Sequence, residues 1–127
     1  MIRVYQTIIS DEEKGIHGNC FPACIASILE LRLDEIPKLQ DMGSNWFPVL
    51  WDFLISRGFT CFGTGRKEEV GSYRKGVDGY YIVNGKSPRG FKRGHSVVFY
   101  EGKLVHDPHP SGLGLLDIRD FFMIERQ

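Results

Sequence analysis

Cys20 lies where a helix begins. Asn19 precedes it as a capping residue, and Pro22 is tolerated in a helix only within the first turn. A thiol at such a position faces unpaired backbone N–H groups and the positive end of the helix dipole. Both lower its pKa, and the thiolate is the nucleophilic form. Gly18 lets another chain segment approach the helix start closely. Cys24, one turn inside the apolar stripe, and Cys61, in an apolar strand, read as small core residues. A cysteine nucleophile needs a base, and the base needs an orienting acceptor. His95 and Asp107 are the candidates. The chemistry is then acyl transfer, in which sulfur attacks a carbonyl and water hydrolyses the thioester.

The pairing of His95 with Asp107 rests on a hairpin. Its strands are His95 to Phe99 and Lys103 to Asp107. A three-residue loop of Tyr100, Glu101 and Gly102 sets Phe99 opposite Lys103, Val97 opposite Val105 and His95 opposite Asp107. Opposed residues share a face, with Cβ atoms about 4.5–5.5 Å apart, within hydrogen-bonding reach. A two-residue loop of Glu101 and Gly102 instead puts His95 and Asp107 on opposite faces.

The run Gly18-Asn19-Cys20-Phe21-Pro22-Ala23-Cys24-Ile25-Ala26-Ser27-Ile28-Leu29, followed by Ile36-Pro37, resembles the nucleophile helix of papain-like cysteine peptidases. It looks closest to the bacterial branch that trims double-glycine leader peptides, and to small stand-alone relatives of that branch. Gly94-His95-Ser96-Val97-Val98 and Val105-His106-Asp107-Pro108 look like the family's histidine and aspartate strands. The resemblance implies a papain-like α+β fold over nearly the whole chain and hydrolysis of a peptide or other amide. Carried over by residue, Cys20 is the nucleophile, His95 the general base and acid, and Asp107 the orienter. The family also places a glutamine oxyanion donor upstream of the cysteine. Gln6 holds that place by order, with Ser10–His17 as an insertion in the long gap to Cys20.

Other chemistry is less well supplied. His106 and His109 with Cys20 and Cys24 would complete a tetrahedral zinc set, but the spacings miss the usual finger patterns and prolines restrict the loop. Both histidines read more simply as exposed loop residues, and no metal or other cofactor is expected. Cys20 and Cys24 are not spaced as a Cys-x-x-Cys redox pair. Residues 110–114 lack the lysine and the strand-to-helix context of a phosphate loop. Trp46 and Trp51 read as core or cleft-wall aromatics. A non-catalytic module that keeps the fold and binds a peptide or anionic partner is the alternative to an enzyme.

The elements that must position these residues follow from periodicity. Phe21, Cys24, Ile25, Ile28 and Leu31 predict a helix from about Cys20 to about Leu31. Phe47, Leu50, Trp51, Leu54 and Ile55 predict a second, capped by Ser44 or Asn45 and stopped at Gly58. Strands are expected at Phe59 to Phe62, at Tyr80 to Val83 before a turn at Asn84-Gly85, in the hairpin, and at Leu115 to Ile118 and Phe121 to Ile124. Residues 63–78 and 86–94 read as loops. Helices followed by a sequential antiparallel sheet make the class α+β.

A chain of 127 residues is a single domain by size. Its 42% hydrophobic and 25% charged residues exclude a disordered chain. No apolar run is long enough to span a bilayer, and the N-terminus has no export-signal architecture. Three cysteines, an odd number, point to reduced thiols in the cytoplasm rather than a disulfide framework. Sixteen basic and sixteen acidic residues cancel, so no membrane partner and no specific nucleic-acid binding is expected. Residues 66–93 are the exception. Arg66, Lys67, Arg74, Lys75, Lys86, Arg89, Lys92 and Arg93 oppose only Glu68, Glu69 and Asp78. That excess is either a solvated loop or a patch for an anionic partner.

Overall fold

The computed structural model describes residues 1–64, 76–90 and 94–127. Helix α1 runs over Cys20–Leu29 and α2 over Trp46–Ser56. Strands β1 (Phe59–Thr64), β2 (Tyr80–Lys86), β3 (Gly94–Tyr100), β4 (Lys103–His106) and β5 (Asp117–Arg126) form one antiparallel sheet. The α+β class is therefore as expected, but the sheet is not sequential. Its order is β1-β5-β2-β3-β4, with the last strand inserted between the first two. The two final elements expected from the sequence are the single strand β5.

Apolar periodicity explains the packing. In α1, residues 22–28 are all buried, and the helix lies against β3 and β2. It ends before Leu31 because Glu30 turns left-handed at φ 57° and its N–H bonds back to Ala26. In α2, which lies against β1, only Leu50 and Leu54 are buried. Phe47, Trp51 and Ile55 of the expected stripe stand exposed, so Trp51 is not a core residue. One core joins the helices to Ile82, Val98, Phe122 and Ile124. Tyr81, Val83, Val97, Phe99, Phe121 and Met123 form a second cluster on the other face of the sheet, as alternation along a strand requires.

Two local readings are corrected. Neither Asn19 nor Asn45 makes a side-chain cap bond. A 3-10 turn over Gly43–Asn45 runs straight into α2, so Ser44 does not cap it either. Asn84-Gly85 is no turn, because β2 continues through it to Lys86. The register with β5 shifts at this dipeptide, and a Cβ on Gly85 would lie 1.9 Å from the Asp117 carbonyl oxygen. The glycine serves a bulge, where backbones approach closely.

The hairpin between β3 and β4 decides where His95 points. Its loop has two residues, Glu101 and Gly102, both at positive φ, and Tyr100 pairs with Lys103. The expected three-residue loop is thus overturned. A second irregularity compensates. Phe99 pairs with Leu104 but Val98 with His106, so Val105 is an extra residue on β4. That bulge moves everything beyond it by one position and carries Asp107 back to the face of His95.

The chain before α1 is a strap along it. Ile2 N–H donates to the Ser27 carbonyl and Val4 N–H to Ser27 Oγ. Further on, Gln6 N–H donates to the Pro108 carbonyl, beyond β4.

Candidate active site

Cys20 is the first residue of α1 and is partly exposed. His95, near the start of β3, places Nε2 2.6 Å from Asp107 Oδ1, and both side chains are 3% exposed. With Nε2 engaged there, Nδ1 is the ring nitrogen left for Cys20, which lines the same cavity as His95. Asp107 is itself held. Oδ1 also accepts from His109 N–H at 2.9 Å, and Oδ2 from Gly114 N–H at 2.8 Å. The carboxylate therefore fixes the imidazole and the loop after β4 together.

The three groups polarise one another. Burial alone would push the Cys20 thiol up. Hydrogen bonding to His95, the charge of His95 and contacts from Ser96 outweigh it and leave the thiol below its ordinary value. Burial likewise pulls His95 down, but its bonds to Asp107 and Cys20 push it up to about 9. Asp107 is raised by burial, yet its bonds to His95, His109 and Gly114 hold it below the usual carboxylate value. The arrangement favours a thiolate beside an imidazolium beside a carboxylate.

The strap positions Gln6. Asn19 Oδ1 accepts from the N–H groups of Thr7 and Ile8 at 3.0 and 2.9 Å, and Nδ2 donates to Thr7 Oγ1. Asn19 thus ties the strap to the helix start, which is why it does not cap. A Cβ on Gly18 would lie 2.7 Å from Ser10 Oγ and 3.0 Å from the Ile8 carbonyl oxygen, the close approach expected there. The intervening residues fold on themselves, with Asp11 and Ile16 exchanging backbone bonds of 2.9 Å. This small hairpin closes the long gap between Gln6 and Cys20. Gln6 is 9% exposed, its Nε2 donates to the Ile8 carbonyl, and its Oε1 is buried without a partner.

Two hollows flank Cys20. A groove of about 540 Å³ is lined by Phe21, Leu39 and Trp46 on one side and by Asp11, Glu12 and Ile16 of the small hairpin on the other. Trp46 is a cleft-wall residue, as expected. A cavity of about 100 Å³ lies between Gln6, Cys20, His95, Arg89 and His109.

The remaining candidates separate. Cys24 is fully buried, and burial pushes its thiol well up. Cys61 is half-buried rather than core, and burial raises it too. His106 is not an exposed loop residue. It is 3% exposed, its Nε2 lies 2.7 Å from the Val4 carbonyl oxygen, and its ring meets Tyr5 edge-on. His109 is half-buried with its ring 6.3 Å from that of His95. Among the described residues no three His, Cys, Asp or Glu side chains gather as metal ligands, so the zinc set does not converge.

Sequence reading missed Ser96, Arg89 and His109 as site residues. Ser96 touches Cys20 and donates to Asn84 Oδ1 at 2.6 Å, while Asn84 donates to Asp120. Its only signal was adjacency to His95. Of the basic run, residues 66–75 and 91–93 lie outside the described residues. No helix among the described residues is long and apolar enough to cross a membrane. Searches of protein-family models, curated proteins and solved structures find no match to this chain.

Proposed function

We propose that the chain is a papain-like cysteine peptidase or related amide hydrolase. The observation that carries this reading is the Cys20–His95–Asp107 array: His95 Nε2 lies 2.6 Å from Asp107 Oδ1 and His95 shares a cavity with Cys20, with the thiol held low and the imidazole high despite burial. Two uncoupled core residues would be shifted the opposite way by burial.

The mechanism follows from the positions. The Cys20 thiolate attacks the substrate carbonyl carbon, and the carbonyl π electrons move to oxygen. The Cys20 backbone N–H and Gln6 Nε2 hold that oxyanion. His95 Nδ1–H protonates the leaving nitrogen as the carbon–nitrogen bond breaks, and a thioester remains. His95, now neutral, takes a proton from water, and the hydroxide adds to the thioester. Collapse expels the thiolate and releases the acid. Throughout, Asp107 accepts from Nε2–H and keeps Nδ1 toward sulfur. Within the superfamily the leader-peptidase branch is the relative we propose on the residues around Cys20. The three free thiols suit a reducing cytoplasm.

The test is iodoacetamide alkylation of each cysteine against pH, read by peptide mass spectrometry. Cys20 alone should react quickly below about pH 7, while Cys24 and Cys61 lag. A Cys20 that titrates like a free thiol near pH 8.5, or stays inert, overturns the enzyme. The exposed aromatic ridge of Trp46, Phe47 and Trp51 on α2 would then favour a binding module.

A further inference from the structure

The cavity beside Cys20 has a cationic wall that the acyl-transfer chemistry does not use. Arg89 NH1 donates to Ser111 Oγ at 3.2 Å, and the same hydroxyl lies 2.8 Å from His109 Nδ1. Ser111 N–H also donates to His109 Nδ1 at 3.0 Å. Nδ1 is therefore an acceptor, and the proton of a neutral His109 sits on Nε2. Arg89 and His109 thus bring a guanidinium and a ring N–H to the residues that line the hollow, and His95 lines it as well. The described residues that line the cavity include no carboxylate. The Asp107 carboxylate is committed to His95, His109 and Gly114. A hollow of about 100 Å³ admits one small group, of roughly acetate size. Among the described residues of the sequence's basic run, Arg89 lines the site.

We propose that this cavity is a carboxylate subsite. The substrate would carry a carboxylate next to the scissile amide, bound by the Arg89 guanidinium and by His109 Nε2–H while its carbonyl meets Cys20. The carboxylate is either an acidic side chain or the free C-terminus of the residue released. This inference rests on the hydrolase reading for its substrate, but the subsite can be tested apart from it.

Iodoacetate and iodoacetamide have nearly the same shape and differ in charge. Their rates with Cys20 are compared at pH 8, where His109 is neutral, in the wild type and in Arg89→Gln. The iodoacetate-to-iodoacetamide ratio should fall about fivefold in the variant, as expected for a lost ion pair at a partly exposed site. Attraction by His95 is common to both proteins and cancels. An unchanged ratio overturns the subsite even where Cys20 is fast. If Cys20 reacts with neither reagent, the hydrolase reading fails, and an NMR titration decides the subsite alone. N-acetylglycine should then shift the His109 ring protons saturably in the wild type and not in Arg89→Gln. No shift in either protein rejects the cavity as an anion site. Comparing N-acetylglycine with the α-amide of N-acetylaspartate identifies the source, since one carries an α-carboxylate and the other a side-chain carboxylate.

Discussion

At the residue scale, the site is a set of mutual dependences, and each sets a direction. His95→Ala removes the group that lowers the Cys20 thiol, while the burial that raises it stays. Alkylation of Cys20 should then require higher pH, and its pH midpoint should move up by at least one unit, about 1.4 kcal/mol. Cys20→Ala should abolish hydrolysis of any substrate the wild type cleaves, with an unchanged circular dichroism spectrum. Asp107→Asn acts on the other limb. The imidazolium persists up to about 9 partly through its bond to Asp107. Weakening that bond should lower the His95 pKa and pull the alkaline limb of the pH–rate profile inward. The variant should also lose stability, and the sign follows from the carboxylate. Its folded pKa is depressed, so its contribution is present above the unfolded value near 4 and fades as acid passes the lower folded value. Thermal melts should therefore separate wild type from Asp107→Asn at pH 6 and converge in strong acid.

At the element scale, the close contact of strap and helix start can be broken at one atom. Gly18→Ala places a methyl 2.7 Å from Ser10 Oγ and 2.9 Å from the Ser10 nitrogen. The strap must move, and Gln6 with it. The expected cost is about 1–3 kcal/mol of stability. Activity should fall further than stability explains, while Cys20 alkylation, which needs only His95, should change little. Much of this level was legible in the sequence, because its causes are local. Pro22 and the apolar spacing after Cys20 announce α1, and Gly18 announces a near neighbour. What was illegible is non-local. Whether His95 and Asp107 share a face depends on a two-residue turn and one extra residue at Val105, and the pairing partner of β4 decides both. Asn84-Gly85 has turn chemistry, yet the neighbouring strand β5 recruits it as a bulge. Nothing in the run from Lys86 to Gly94 indicates that Arg89 stands beside the thiol.

At the scale of the whole molecule, the site is a sum of distant parts. Gln6 comes from the strap, Cys20 from α1, His95 from β3 and Asp107 from the residue after β4. No single element contains it. In guanidinium chloride, the low-pH reactivity of Cys20 and the far-ultraviolet signal should therefore vanish at one midpoint, as in a two-state transition. An earlier loss of reactivity would mean that the strap or the hairpin opens by itself. The placement of β5 has a consequence in time. Residues 117–126 form an interior strand that joins β1 to β2, and they are made after all the strands they join. A ribosome extends the chain at about 5–20 residues per second, so Cys20 leaves it seconds before the sheet supporting His95 can close. The nascent protein therefore carries Cys20 without its partners until His95 and Asp107 have been made and their hairpin has closed against α1.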